Sequence, residues 1–149
     1  MQPCADGFSE GEIDGNDPSP RPRGRAAPSI LIVDPSEATR RAVAEVLREC
    51  GYVVHCAEGL REGERACQTL REGPRLALLE FRLGDGSGDQ LAMLLRTRWP
   101  ECFMVYFSGS HPSYDEALRE ALLAPRTGFL AKPTSLDAVV ETVQLRVQS

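Results

Sequence analysis

Lysine is nearly missing from this chain: Lys132 stands alone against sixteen arginines. Where arginine is the default cation, a retained lysine marks a place for a compact ammonium on a flexible stem, which a planar guanidinium cannot supply. Positive charge is outweighed overall, 17 basic residues against 22 acidic ones. The formal net charge is −5, which argues against a nucleic-acid-binding surface, since such surfaces are basic. No apolar stretch approaches the roughly 20 residues of a membrane-spanning helix. No basic region followed by an apolar core opens the chain, as a signal peptide would. A cytoplasmic protein without membrane contact is expected. Five cysteines, an odd number without CxxC spacing, suggest neither a disulfide framework nor a zinc site. Cys50, Cys56, Cys67 and Cys102 read as small hydrophobes in a reducing compartment. The two histidines, His55 and His111, stand apart, with no nucleophile or metal partner in the pattern.

What the chain does have is apolar residue enough, 42% of 149, for one domain with a real core. Residues 1–28 are rich in Gly, Pro, Asp and Glu and read as a disordered tail, acidic to Asp17 and then basic at Arg21, Arg23 and Arg25. From Ser29 to the end (29–149), strand and helix patterns alternate. Ser36 as N-cap and Gly51 as C-cap bound a first helix, 36–50, whose Val43, Val46, Leu47 and Cys50 recur at helical spacing. A strand at 52–56, a helix at 58–71, a strand ending at Glu80, a helix at 89–98 and a strand at 102–107 follow. Ser113 and Glu116 have capping-box spacing and open a fourth helix that stops before Pro125. A last strand covers 128–131, and Thr134 with Asp137 opens the final helix. Five such units give an α/β domain. Its expected form is a flavodoxin-like five-stranded parallel sheet of order 2-1-3-4-5, with helices on both faces.

Four strands run into a polar residue. Asp34 follows Ile30–Val33, Glu80 follows Leu76–Leu79, Ser108 follows Cys102–Phe107, and Lys132 follows Phe129–Ala131. Ligands of such sheets bind in the crevice beyond the carboxyl ends of the strands, so the four should meet there. Two carboxylates, a hydroxyl and an ammonium in one place form a phosphate-and-metal constellation. Singly, each has a plainer reading: Asp34 as a turn or cap residue, Ser108 as a turn serine, Phe129 as core. Asp85, Asp89 and Glu37 read as loop or cap residues.

The stretch from Ser29 onward resembles the receiver domain of two-component response regulators, the CheY-like family. Ile30-Leu31-Ile32-Val33-Asp34 looks like its first strand with a metal-binding acid. Leu78-Leu79-Glu80-Phe81-Arg82-Leu83-Gly84-Asp85-Gly86-Ser87-Gly88 looks like its phosphoacceptor strand and glycine-rich loop. Phe107-Ser108-Gly109 resembles its Ser/Thr position, and Gly128-Phe129-Leu130-Ala131-Lys132-Pro133 its lysine-proline signature. The resemblance implies a phosphoacceptor position at Glu80 and a phosphate pocket of Ser108 and Lys132. It also implies weakly held Mg²⁺ on Asp34, Glu80 and the backbone carbonyl of Arg82, and a switch pair of Ser108 and Phe129. Two departures stand out. Glu80 replaces the family's aspartate, and Pro35 stands where a second acid is usual, removing a carboxylate and an N–H and stiffening the loop.

The Glu80 carboxylate sits one methylene further out than an aspartate's. A misplacement of about 1 Å can cost a hundredfold in rate. The longer side chain also brings charge toward the phosphoryl position, within reach of Lys132 and Ser108. Glu80 then either imitates the phosphorylated state permanently or merely neutralises Lys132 in a resting shape; both readings stay open. The expectation is an atypical, stand-alone pseudo-receiver in phosphorelay-type signal transduction, not an enzyme, and a monomer or weak homodimer. It would bind a histidine kinase, another response regulator or an effector protein through the fourth helix, fifth strand and fifth helix, with Leu118, Leu122 and Phe129 as contacts or as core. One alternative is a phosphate-accepting regulator with Mg²⁺-dependent modification at the Glu80 pocket. A flavodoxin-like small-molecule binder or enzyme is disfavoured. The loop Asp34-Pro35-Ser36 is no glycine-rich phosphate cradle, and no nucleophile–base pair is visible.

Overall fold

Runs buried on both faces of a parallel sheet carry no polar alternation, and here every residue of Leu76–Leu79 and Phe103–Ser108 is buried. The computed structural model describes residues 27–148. In chain order these form β1 (Ser29–Val33), α1 (Glu37–Glu49), β2 (Val53–Ala57), α2 (Leu60–Thr69) and β3 (Leu76–Leu79). A two-rung hairpin of β4 (Arg82–Leu83) and β5 (Gly86–Ser87) follows, then α3 (Gly88–Arg98), β6 (Phe103–Ser108), α4 (Glu116–Ala121), β7 (Thr127–Ala131) and α5 (Leu136–Val147). The five long strands pair in parallel in the order β2-β1-β3-β6-β7. This is the expected flavodoxin-like order, with the hairpin as an unforeseen addition in the glycine-rich loop.

Side chains alternate between the two faces of a strand, which divides the core in two. Leu31, Val33, Leu79, Met104 and Tyr106 pack on one face with Leu91 and Leu95 of α3 and Leu118 of α4. Ile30, Ile32, Leu78, Val105 and Phe107 pack on the other with Val43 and Leu47 of α1 and Val139 and Val143 of α5.

Several local expectations need correction. Ser36 does cap α1, accepting from Thr39 N at 3.1 Å. The cap of α4, however, is Asp115 rather than Ser113: its carboxylate accepts from Leu118 N, while Ser113 N donates to His111 Nδ1. The helix is also shorter than expected, ending at Ala121. Ser135, not Thr134, caps α5. Cys56, Cys67 and Cys102 are free thiols, whereas Cys50 is disulfide-bonded, which corrects its reading as a free small hydrophobe. The tail reading falls outside the described residues, apart from residues 27 and 28. No described helix is long and apolar enough to cross a membrane.

Candidate functional site

The registers Val33↔Leu79, Leu79↔Tyr106 and Ser108↔Ala131 bring the strand ends side by side. Backbone hydrogen bonds continue just past them: Glu80 N donates to Val33 O at 2.9 Å and Lys132 N to Ser108 O at 3.0 Å. Asp34, Glu80, Ser108 and Lys132 therefore lie at one edge of the sheet, as the apolar runs implied.

There the Lys132 ammonium bridges both acids, donating to Asp34 Oδ2 at 2.5 Å and Glu80 Oε1 at 2.9 Å. The side chains of Asp34, Glu80 and Lys132 are 3%, 12% and 22% exposed, so the three charges are largely withdrawn from water together. Glu80 Oε2 accepts from Ser108 Oγ at 2.5 Å, Phe81 N at 2.7 Å and Arg82 N at 3.3 Å. Asp34 Oδ1 accepts from Ser36 N at 2.9 Å. The ammonium also lies 5.0 Å from the Phe107 ring centroid. Burial pulls the pKa of Lys132 down, but its hydrogen bonds to Asp34 and Glu80 and their charges outweigh this and hold it above the ordinary lysine value.

Ser108 is buried, and its Oγ accepts from Ser110 N at 3.1 Å. Phe129 is half-buried against the core beside α4, its ring 6.1 Å from that of His111 and edge-on to it. Leu118 is fully buried and thus core, whereas Tyr114 and Leu123 are the exposed apolar residues flanking α4. Two polar partnerships, those of Arg82 and Asp89, were not foreseen, while Asp85, read as a loop or cap residue, is a cap. Arg82 donates to Asp115 Oδ2 at 2.7 Å, and this hydrogen bond holds the Asp115 carboxyl below the usual carboxylate range. Asp85 accepts from Leu60 N at 2.8 Å and Arg61 N at 2.9 Å, capping α2 from across the site. Asp89 accepts from the Tyr106 hydroxyl at 2.9 Å. The need for such a cap at α2 shows in Gly59, which precedes the helix and has no side chain to cap with.

A model of the response regulator receiver domain matches residues 30–144. The chain belongs to that family. It is 28% identical to the photosynthetic apparatus regulatory protein RegA of Cereibacter sphaeroides, over 81% of this chain and 64% of RegA. It is 32% identical to the acid tolerance regulatory protein ActR of Sinorhizobium medicae, over 75% of this chain and 56% of ActR. The chain thus spans less than two thirds of each. Among solved structures, a CheY-like response regulator receiver domain protein of Methanospirillum hungatei shares the fold with a TM-score of 0.74 at 22% identity, over 83% of this chain and 95% of that one.

Receivers hold Mg²⁺, a hard ion that wants oxygen ligands in near-octahedral geometry. The residues of this receiver fit it poorly. All four carboxylate oxygens of Asp34 and Glu80 already accept from N–H, O–H or ammonium donors, and Pro35 offers no carboxylate. No cluster of three or more His, Cys, Asp or Glu side chains suited to a metal occurs among the described residues. The Lys132 ammonium, between the two acids, provides the positive charge that a metal would bring.

Proposed function

We propose that this receiver is a pseudo-receiver, acting in phosphorelay-type signalling by binding partner proteins rather than through the usual aspartyl phosphorylation. The engagement of both Glu80 oxygens carries the reading. A phosphoryl group arriving at Glu80 would have to displace Ser108 and Lys132, the groups that would otherwise bind its own oxygens. Of the two roles open to Glu80, imitation of the phosphorylated state is the better supported. Its carboxylate takes a hydroxyl, an ammonium and the Arg82 N–H, and so engages Ser108 without a phosphate.

The partners proposed are a histidine kinase, another response regulator or an effector protein. They would meet the face of α4, β7 and α5, where Tyr114, Leu123 and Leu136 are exposed. Nucleic acid and membrane are not among them, and a cytoplasmic monomer or weak homodimer is the state proposed. Any Mg²⁺ would be weakly held, by Asp34, Glu80 and the Arg82 carbonyl, once Lys132 had moved aside.

The test is intact mass after incubation with acetyl phosphate and Mg²⁺, with Glu80→Asp alongside. The native chain is expected to gain no phosphoryl adduct and Glu80→Asp to gain one. An adduct on the native chain that maps to Glu80 overturns the reading in favour of an ordinary phosphate-accepting regulator.

A further inference from the structure

Two hydrogen-bonded routes leave the Glu80 carboxylate. One passes through Ser108, which donates to Oε2 and accepts from Ser110 N. The other runs along the chain just after Glu80. Oε2 accepts from Phe81 N and Arg82 N, so the Arg82 backbone is held against the carboxylate. The Arg82 guanidinium then lies 5.1 Å from the Phe81 ring centroid, and its Nη2 donates to Asp115 Oδ2 at 2.7 Å. Asp115 is the buried N-cap of α4, and its other oxygen accepts from Leu118 N at 3.1 Å.

The length of α4 makes this second route matter. The helix spans only Glu116–Ala121, and helices shorter than about 12 residues are marginal by themselves. Its first turn depends on the Asp115 cap and on the fully buried Leu118. If Asp115 turns away, Leu118 N loses its acceptor. An exposed ion pair adds little to stability, and the Arg82 side chain is 60% exposed. Its geometry serves orientation instead: a single guanidinium joins the loop that Glu80 holds to the residue that starts α4.

We propose that Arg82 is a positioning residue that passes the state of the Glu80 carboxylate to α4 by holding the Asp115 cap, in parallel with the Ser108 route. This rests on the reading of Glu80 as a fixed imitator and adds to it the path by which a partner at α4 would sense it. The route depends on the pairing of Arg82 with Asp115, 33 residues apart.

Amide hydrogen exchange on the full chain tests it, in the native protein, Glu80→Gln, Arg82→Ala and the double variant. Glu80→Gln is expected to speed exchange at Leu118 and Arg119 about fivefold when Arg82 is present, the scale of a weakened cap. With Arg82→Ala, the further effect of Glu80→Gln at these amides should fall below about twofold, while Ser110 responds in both backgrounds. Arg82→Lys, which keeps the charge, should retain part of the response. If Glu80→Gln does not fold, Glu80→Asp replaces it, because its shorter side chain draws the carboxylate away from Arg82 N. Equal acceleration at Leu118 with and without Arg82 overturns the proposal, as does no acceleration in either. Failure of the pseudo-receiver reading shows elsewhere, as a phosphoryl adduct on Glu80.

Discussion

The loop after β3 meets the Glu80 carboxylate directly and the loop after β6 meets it through Ser108, and the two are fastened very differently. Between β3 and α3 the chain is tied at almost every step. The β4–β5 hairpin closes it, Gly88 N donates to Phe81 O at 2.8 Å, Asp85 reaches across to α2, and Ser87 with Gln90 forms a capping box at the start of α3. Gly88 packs so closely that an added Cβ would lie 2.4 Å from Glu80 O. Between β6 and α4 the bonds are mostly local: Ser110 N to Ser108, Ser113 N and Tyr114 N to His111, and Arg119 Nη1 to Pro112 O. Tyr114 is 92% exposed there, and a Cβ on Gly109 would meet nothing within 4 Å. The first loop fixes where Glu80 points; the second is left to take whatever shape Ser108 and Asp115 impose. Weakly fastened segments of this kind belong to the low-stability end of a protein and are the ones recruited to switch.

Substitutions at the two loops and at the lysine paired with the carboxylate between them should separate in size. Lys132→Met removes the charge shared by two largely buried carboxylates and is expected to cost about 3–4 kcal/mol in urea unfolding, the scale of a broken buried pair. A loss below about 1 kcal/mol, the size of an exposed pair, would mean that water reaches both acids freely. Gly88→Ala forces backbone against backbone in the tied loop and should cost about 2 kcal/mol. Ser87→Ala removes half of the α3 capping box and should cost about 1 kcal/mol by the same measurement. Gly109→Ala, in the loosely fastened loop, should change stability by no more than about 0.5 kcal/mol. Comparable losses for Gly88→Ala and Gly109→Ala would erase the contrast between the loops.

How much of this could be read beforehand follows from the kind of signal each feature leaves. Strands covered on both faces leave continuous apolar runs, so the sheet order and the meeting of Asp34, Glu80, Ser108 and Lys132 were legible. The pairing of Glu80 with Lys132 and Ser108 followed from that meeting. The turn of Glu80 back onto its own Phe81 and Arg82 N–H groups did not, because it depends on side-chain torsions. Arg82–Asp115 joins residues 33 apart through loops without periodicity, so no local pattern announces it; Asp85 was legible as a loop or cap residue, but not the helix 25 residues back that it caps. Ser113 misled for a related reason. Asp115 is an equally good cap two residues nearer the helix, and only its partner Arg82, far off in sequence, favours it.

Because Lys132 is the sole lysine, ¹⁵Nζ-lysine labelling places one NMR probe at the centre of the site. Its folded pKa is raised, so the stability it contributes is fully present below the ordinary value of 10.5 and is lost as pH rises through the folded midpoint. Following that resonance with pH in the native chain and in Glu80→Gln tests the engaged carboxylate most directly. The account predicts a native midpoint above 10.5 that falls when Glu80 is neutralised. A midpoint at or below 10.5, unmoved by Glu80→Gln, would contradict it.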